Sequence, residues 1–200
     1  MTTRVLVTGF EPFGGSNDNP SKRVAHALRD DPPPGVELTT GVLPVTWAGA
    51  WPALLELLSA SNPELVILMG QSGKRACVTI ERFALNFGQG RIADNDGASR
   101  TPGALVDTAP LALPSSIDVD KAVEAIEKAG VPSTASHDAG AFLCNAVLYY
   151  TLLHAAPSQR ACFIHLPMMS GQQGVSESEP TLDVAQSEKA VRAVIAALTV

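Results

Sequence analysis

The alternation of short apolar runs with amphipathic segments is the feature that most restricts the fold of this 200-residue chain. Runs rich in β-branched and aliphatic residues predict strands at Arg4 to Thr8, Val36 to Val45 and Leu65 to Met69. Between them, Lys22 to Arg29 and Thr46 to Ala60 have the periodicity of helices. This β-α-β-α-β order is typical of a mainly parallel sheet that is covered by helices on both faces.

The second half of the chain continues the pattern after an irregular middle. Cys77 to Phe83 and Gly88 to Asp94 resemble strands and Asp96 to Ser116 resembles a loop, so we expect an excursion from the main sheet there. The remaining predicted elements are the helices Asp120 to Lys128, Phe142 to Ala155 and Leu182 to Thr199, and the strands Val131 to Ser136 and Arg160 to His165. No repeat or linker interrupts them, and we expect one domain over residues 1–200.

The composition excludes several classes of protein. Hydrophobic residues make up 46% of the chain and charged residues 17%, which excludes a disordered chain. The net charge of −6 leaves no basic face for a nucleic acid. The longest apolar stretches fall short of the roughly 20 residues that span a membrane. With no secretory signal visible at the amino terminus, we expect a cytoplasmic protein.

The spacing of the cysteines and glycines indicates whether the chain could bind a metal ion or a nucleotide. Three cysteines without CxxC spacing predict free thiols in a reducing compartment, not a disulfide framework or a zinc site. The glycine-rich segments Gly9 to Gly15 and Gly70 to Gly73 lack the spacing of a phosphate-binding loop. We therefore expect no metal, nucleotide or other cofactor.

A thiol and an imidazole fall at the carboxyl-end rim of the predicted sheet, where ligands of open parallel sheets gather. Cys144 lies near the start of a predicted helix, where the helix dipole favours a thiolate and free N–H groups stabilise an oxyanion. The alternative is an inert buried cysteine, which is the better interpretation for Cys77 and Cys162. His165 ends a predicted strand and is a candidate base.

Two of these roles have rival candidates. His137 competes with His165 as the base, whereas His26 and His154 lie within predicted helices. Glu81 is a candidate acceptor for the imidazole because it is a carboxylate in a segment patterned for burial. Asp138 competes with it, although a turn role would also explain an aspartate there.

Two phenylalanines are unexpected in a glycine-rich loop. Phe10 and Phe13 suggest apolar walls for a small ligand, and the alternative is that both pack beneath the loop.

Four blocks of sequence, in order along nearly the whole chain, resemble the pyroglutamyl-peptidase I family of cysteine peptidases. They are Gly9-Phe10-Glu11-Pro12-Phe13-Gly14 with Asn19-Pro20-Ser21, Glu81-Arg82 with Ala84 and Asn86, Ala139-Gly140 with Leu143-Cys144-Asn145, and Phe163-Ile164-His165 with Pro167. The resemblance implies a three-layer α/β/α sandwich with an open, twisted, mainly parallel sheet. It also implies a triad of Cys144, His165 and Glu81 that hydrolyses peptides bearing an amino-terminal pyroglutamate (5-oxoproline).

The resemblance further implies a lactam pocket and a homo-oligomer, either a dimer or a tetramer. The implied substrate-binding residues are Phe10, Phe13, Phe142, Asn19, Gln71 and Arg91. The sequence departs from the family pattern at His137-Asp138, where many relatives have asparagine after the serine that corresponds to Ser136, and at the small residue Ala141.

Two other functions remain open on the sequence. A nucleoside hydrolase or phosphorylase would use a similar α/β sheet without a thiol. A non-catalytic binder of pyroglutamate or a similar lactam would use Phe10, Phe13 and Asn19 while the thiol stays idle.

Overall fold

A computed structural model describes residues 2–90, 92–173, 175–176 and 178–199. Within those residues the strands are β1 (Thr3–Phe10), β2 (Val36–Leu43), β3 (Leu65–Gln71), β4 (Val78–Glu81), β5 (Phe83–Leu85), β6 (Ala112–Pro114), β7 (Ser133–Ser136) and β8 (Arg160–Leu166). The helices are α1 (Pro20–Asp30), α2 (Ala50–Ser61), α3 (Val119–Lys128), α4 (Leu143–His154) and α5 (Val184–Leu198). The predicted strand-helix alternation is confirmed at both ends of the chain.

The main sheet of the described residues has the strand order β2-β1-β3-β8-β4-β7. Neighbouring strands are parallel except for β4 and β8, which are antiparallel. The last strand to be synthesised, β8, therefore lies between β3 and β4, which follow each other in sequence. The prediction of a mainly parallel sheet is confirmed.

Helices cover the sheet on both sides and give it two hydrophobic cores. On one side, α1, α3 and α5 pack on alternate strand residues such as Val5, Ile67 and Ile164. On the other side, α2 and α4 pack on the intervening residues, such as Leu68 and Phe163. This alternation is the period-2 pattern of strands that are buried on both faces.

The middle of the chain departs from the prediction. The predicted strand Cys77 to Phe83 is split, because β4 stays in the main sheet while β5 leaves it to pair with β6. The predicted strand Gly88 to Asp94 is wrong for its described residues, which make one isolated bridge, Gly88 to Gly103. The side chain of Asp94 instead accepts the backbone N–H groups of Trp47, Asp96 and Ala98, which folds the segment into a tight turn.

None of the helices in the described residues combines the length and the apolar character needed to cross a bilayer.

Candidate active site

One row of residues across three strands forms the base of the site. His165 on β8 is in register with Gly70 on β3 and with Thr79 on β4. Residues opposite each other in a sheet point to the same face, and so does Glu81, two residues beyond Thr79. Gly70, His165, Thr79 and Glu81 therefore share the face on which α4 packs.

The thiol of Cys144 lies against this row of residues on the side of the sheet that α4 covers. Cys144 is the second residue of α4, and a Cβ atom placed on Gly70 would lie 2.9 Å from its Sγ and 2.8 Å from Cζ of Phe163. Any side chain at position 70 would collide with the sulfur. Gly70 thus provides the space in which the thiol lies against the sheet, beside the imidazole row.

A buried hydrogen-bonded chain fixes the imidazole. His165 Nδ1 lies 2.8 Å from Glu81 Oε1, and Arg75 Nη1 donates to the same oxygen at 2.6 Å. Arg75 also donates to Thr79 Oγ1 and, through Nη2, to the carbonyl of Asp138 at 2.7 Å. The side chain of Glu81 is fully buried. Because the Glu81 carboxylate accepts at Nδ1, the second ring nitrogen, Nε2, is the one left for the cleft.

The protonation states follow from burial and charge. Burial raises the pKa of Glu81, but the hydrogen bond and charge of His165 and the charge of Arg75 outweigh it, so that the pKa is lowered. Burial lowers the pKa of His165 despite its bond to Glu81. Burial and then the Glu81 charge raise the pKa of Cys144 to about 12. Both shifts favour the uncharged forms of the thiol and the imidazole, so burial opposes the thiolate that the helix start favours.

His137 and Asp138, the rival candidates for the base and for its carboxylate partner, lie outside the cleft and make other contacts. His137 stacks on Phe83 with ring centroids 6.2 Å apart and does not line the cleft. The carboxylate of Asp138 accepts from the Gly140 N–H at 2.8 Å, which is the turn role considered above. Cys162 is buried in the core as predicted, whereas Cys77 is only half-buried.

The thiol and the imidazole open into one cleft of about 240 Å³. Its lining consists of Phe10, Phe13, Asn19, Val45, Gln71, residues 139–144 and His165. Phe13 and Phe142 stack with ring centroids 5.2 Å apart, and Trp47 supports Phe142 edge-on from 5.3 Å. The structure thus brings five of the six predicted substrate-binding residues to the cleft, and the sixth, Arg91, lies outside the described residues.

The two amide side chains of the cleft also build the surrounding loops. Asn19 is the N-cap of α1, where its Oδ1 accepts from the backbone N–H of Ser21 and its Nδ2 donates to the carbonyl of Glu11. Gln71 Oε1 accepts from Gln172 Nε2 at 2.8 Å. Each amide therefore keeps part of its hydrogen-bonding capacity for a ligand while the rest fixes its orientation.

Sequence reasoning missed three residues of the site: Arg75, Gly70 and Gln172. Gly70 ends an apolar run, and a glycine there indicates that another group packs closely against the strand. The sequence does not show that this group is the thiol of Cys144. Arg75 and Gln172 lie in loops, where no hydrophobic periodicity or motif indicates a functional residue. Asn145, which belongs to a recognised motif, is fully buried and bonds the backbone of Leu85 and Phe87, so it holds the β5 segment against α4.

A thiol at a helix start that shares a cleft with an imidazole held by a buried carboxylate is typical of cysteine-dependent acyl-transfer enzymes. Within the described ranges, no three His, Cys, Asp or Glu side chains are grouped so that they could hold a metal ion.

Known proteins place the chain within that class. The pyroglutamyl peptidase family model matches residues 3–200. A pyrrolidone-carboxylate peptidase of Streptomyces coelicolor is 37% identical over 98% of this chain and 91% of its own. Pyroglutamyl peptidase I of Bacillus amyloliquefaciens superposes with a TM-score of 0.94 at 30% identity, covering 100% of this chain and 96% of its own. A mutant pyrrolidone carboxyl peptidase of Pyrococcus furiosus gives 0.92 at 32% identity, covering 98% and 97%. The chain belongs to the pyroglutamyl peptidase family.

Proposed function

We propose that the protein is a cysteine exopeptidase that hydrolyses the bond after an amino-terminal pyroglutamate and releases free pyroglutamate. One observation carries the proposal: Cys144 and a His165 that is bonded to buried Glu81 line the same small, largely apolar cleft. The family to which the chain belongs supports the same activity.

In the proposed mechanism, the neutral imidazole activates a neutral thiol. His165 Nε2 takes the proton of Cys144 as Sγ attacks the pyroglutamyl carbonyl, and Glu81 stabilises the imidazolium that forms. Phe142 caps α4 without a side-chain bond, so the first-turn N–H of Cys144 remains for the oxyanion. The imidazolium then protonates the departing amine as the C–N bond breaks. Water, deprotonated by His165, hydrolyses the thioester and regenerates the thiol.

The cleft explains why a pyroglutamyl group is the expected substrate. Its amide nitrogen is part of a neutral lactam ring, which makes apolar contact with Phe10, Phe13 and Phe142 at no cost of burying charge. A free, protonated amino terminus would lose its hydration in this cleft without a carboxylate to pair with, because Glu81 is already bonded to His165 and Arg75.

The first test measures release of a chromogenic amine from pyroglutamyl amide, with the prolyl and glutaminyl amides for comparison. We expect selective release from the pyroglutamyl compound and a loss of at least about 10³-fold in kcat for Cys144→Ala. The matched control is Cys77→Ala, which removes a half-buried thiol outside the cleft and should retain activity. Retained turnover by Cys144→Ala would disprove the role of this thiol.

A folded protein that binds lactams without releasing amine would instead be the lactam-binding alternative. Protection of Cys144 from iodoacetamide by 2-pyrrolidone measures that binding separately from turnover.

We also propose that the protein works as a homo-oligomer in a reducing cytoplasm. Three large apolar side chains of one segment, Phe83, Leu85 and Phe87, are each more than a third exposed, and Leu111 is 86% exposed. Such a cluster is more typical of an interface than of a solvated surface. All three cysteines are free, in keeping with a reducing compartment. Sedimentation velocity measures the oligomeric state, and a monomer at micromolar concentration would contradict the proposal.

A further inference from the structure

Gln172 is a buried amide that lies outside the cleft and bonds to one of the residues that line it. It lies in the segment after β8 and is only 6% exposed. Its Nε2 donates to Gln71 Oε1 at 2.8 Å, to Ser16 Oγ at 2.9 Å and to the carbonyl of Asp18 at 3.2 Å, and its Oε1 accepts from the Met169 N–H at 3.1 Å. This glutamine therefore joins two loops to the strand end that carries Gln71.

Fixed backbone groups determine which way the Gln172 amide points. The Met169 N–H is always a donor, so it requires the oxygen of Gln172 on its side. The Asp18 carbonyl is always an acceptor, so it requires the nitrogen. The nitrogen of Gln172 consequently faces Gln71, and only the oxygen of Gln71 satisfies it.

The orientation of Gln71 follows from that of Gln172. With its oxygen turned to Gln172, Gln71 has its Nε2 left over, and no partner for this nitrogen is present among the described residues. Gln71 is one of the residues that line the cleft, so its Nε2 is the side-chain atom that remains for a ligand there. A hydrogen-bond donor recognises a carbonyl oxygen, which a pyroglutamyl ring carries and a prolyl ring lacks.

We propose that Gln172 is a specificity-determining positioning residue, which holds the Gln71 amide with its N–H groups toward the ring carbonyl of the substrate. The proposal rests on the proposed function, because it assigns the recognition step of that same site. A ring without the carbonyl would leave the Gln71 donor unpaired in an apolar cleft, so the site discriminates by this penalty.

A double-mutant cycle tests the proposal. Gln172→Met should weaken 2-pyrrolidone binding and raise KM for pyroglutamyl amide by about tenfold, the loss expected for one well-placed hydrogen bond, while kcat stays nearly unchanged. Gln71→Met should show a similar loss, and adding Gln172→Met to it should cost little more. The matched control is Gln173→Met at the exposed neighbouring position, which should alter neither KM nor lactam binding.

The outcomes separate this proposal from the proposed function. Lactam binding is measured by protection of Cys144 from iodoacetamide, which needs no turnover. Unchanged lactam binding in Gln172→Met, or an equal loss with and without Gln71, would overturn the positioning role. If Gln172→Met does not fold, Gln71→Glu serves instead. It keeps an acceptor for Gln172 but replaces the donor in the cleft, so undiminished lactam binding by this variant would overturn the proposal.

Discussion

The two sides of the cleft are built in different ways. The reacting side, which carries the proposed triad, stands on regular structure: His165 and Glu81 are on paired strands, and Cys144 is in the first turn of α4. The binding side combines the ends of two strands, at Phe10 and Gln71, with loops whose shape depends on single side chains, such as Asn19 and Gln172. Strand register and the first turn of a helix fix the first set through many backbone hydrogen bonds, whereas single side-chain hydrogen bonds fix the loops of the second.

This difference predicts how each side fails. A change on the reacting side misplaces groups that must meet in the transition state, so kcat falls. A change on the binding side removes contact with the ring, so KM rises while the chemistry continues.

Among the residues that support the site, the largest effect is expected for Gly70→Ala, which tests the reacting side. Its new Cβ would lie 2.9 Å from Cys144 Sγ and 2.8 Å from Phe163, so the thiol must shift away from the imidazole row. We expect kcat to fall about 100-fold, with a destabilisation of roughly 1–3 kcal/mol from overpacking. Steady-state kinetics and thermal unfolding measure the two effects.

Gly103→Ala is the matched control for this substitution, because a Cβ atom there would meet nothing within 4 Å. If Gly70→Ala turned over as fast as the unchanged protein, the close fit of thiol and strand would have no catalytic importance.

An intermediate effect is expected for Arg75→Met, which tests the charge around the imidazole. Arg75 lowers the pKa of His165, whereas Glu81 and Asp138 raise it, so removing the cation should raise that pKa. In the proposed mechanism, activity requires neutral His165 and is lost as the pH falls through the pKa of this residue. The acid limb of the kcat/KM profile should therefore move to higher pH, with about a tenfold loss at neutral pH from the freed Glu81 carboxylate.

Lys74→Met removes the same charge from the exposed neighbouring position, and its pH profile should match that of the unchanged protein. An acid limb that stays in place in Arg75→Met would show that the guanidinium does not control the imidazole.

The smallest effect is expected for Phe13→Ala on the binding side. The stacked pair of Phe13 and Phe142 is worth about 1 kcal/mol beyond its contact area, so we expect KM to rise about fivefold with little change in kcat. Initial rates over a range of substrate concentrations separate the two constants. A fall in kcat alone would mean that the two sides of the cleft are not independent.

Sequence reasoning reached the reacting groups better than it reached their supports. Residue patterns alone leave Cys144 between a reactive and an inert buried thiol, His165 against His137, and Glu81 against Asp138. The family motifs chose between them, and the structure agrees in placing His165 and Glu81, not the rivals, beside each other.

The supporting residues Gly70, Arg75 and Gln172 could not be predicted from the sequence, for a physical reason. Gly70 matters because two strands are in register and a helix crosses them, which is a property of the assembled sheet. Arg75 and Gln172 bond to groups far away in sequence, through loop side chains that obey no periodicity. The raised pKa of Cys144 likewise depends on burial that the helix start alone does not reveal.

The position of β8 between β3 and β4 also bears on how the protein becomes an enzyme during synthesis. Until β8 emerges from the ribosome, β3 and β4 have no strand to join them, and the imidazole has not been made. This one strand both joins β3 to β4 and carries the His165 side chain that bonds to Glu81. The complete sheet and the contact between His165 and Glu81 therefore cannot form before about the last fifth of the polypeptide has begun to emerge.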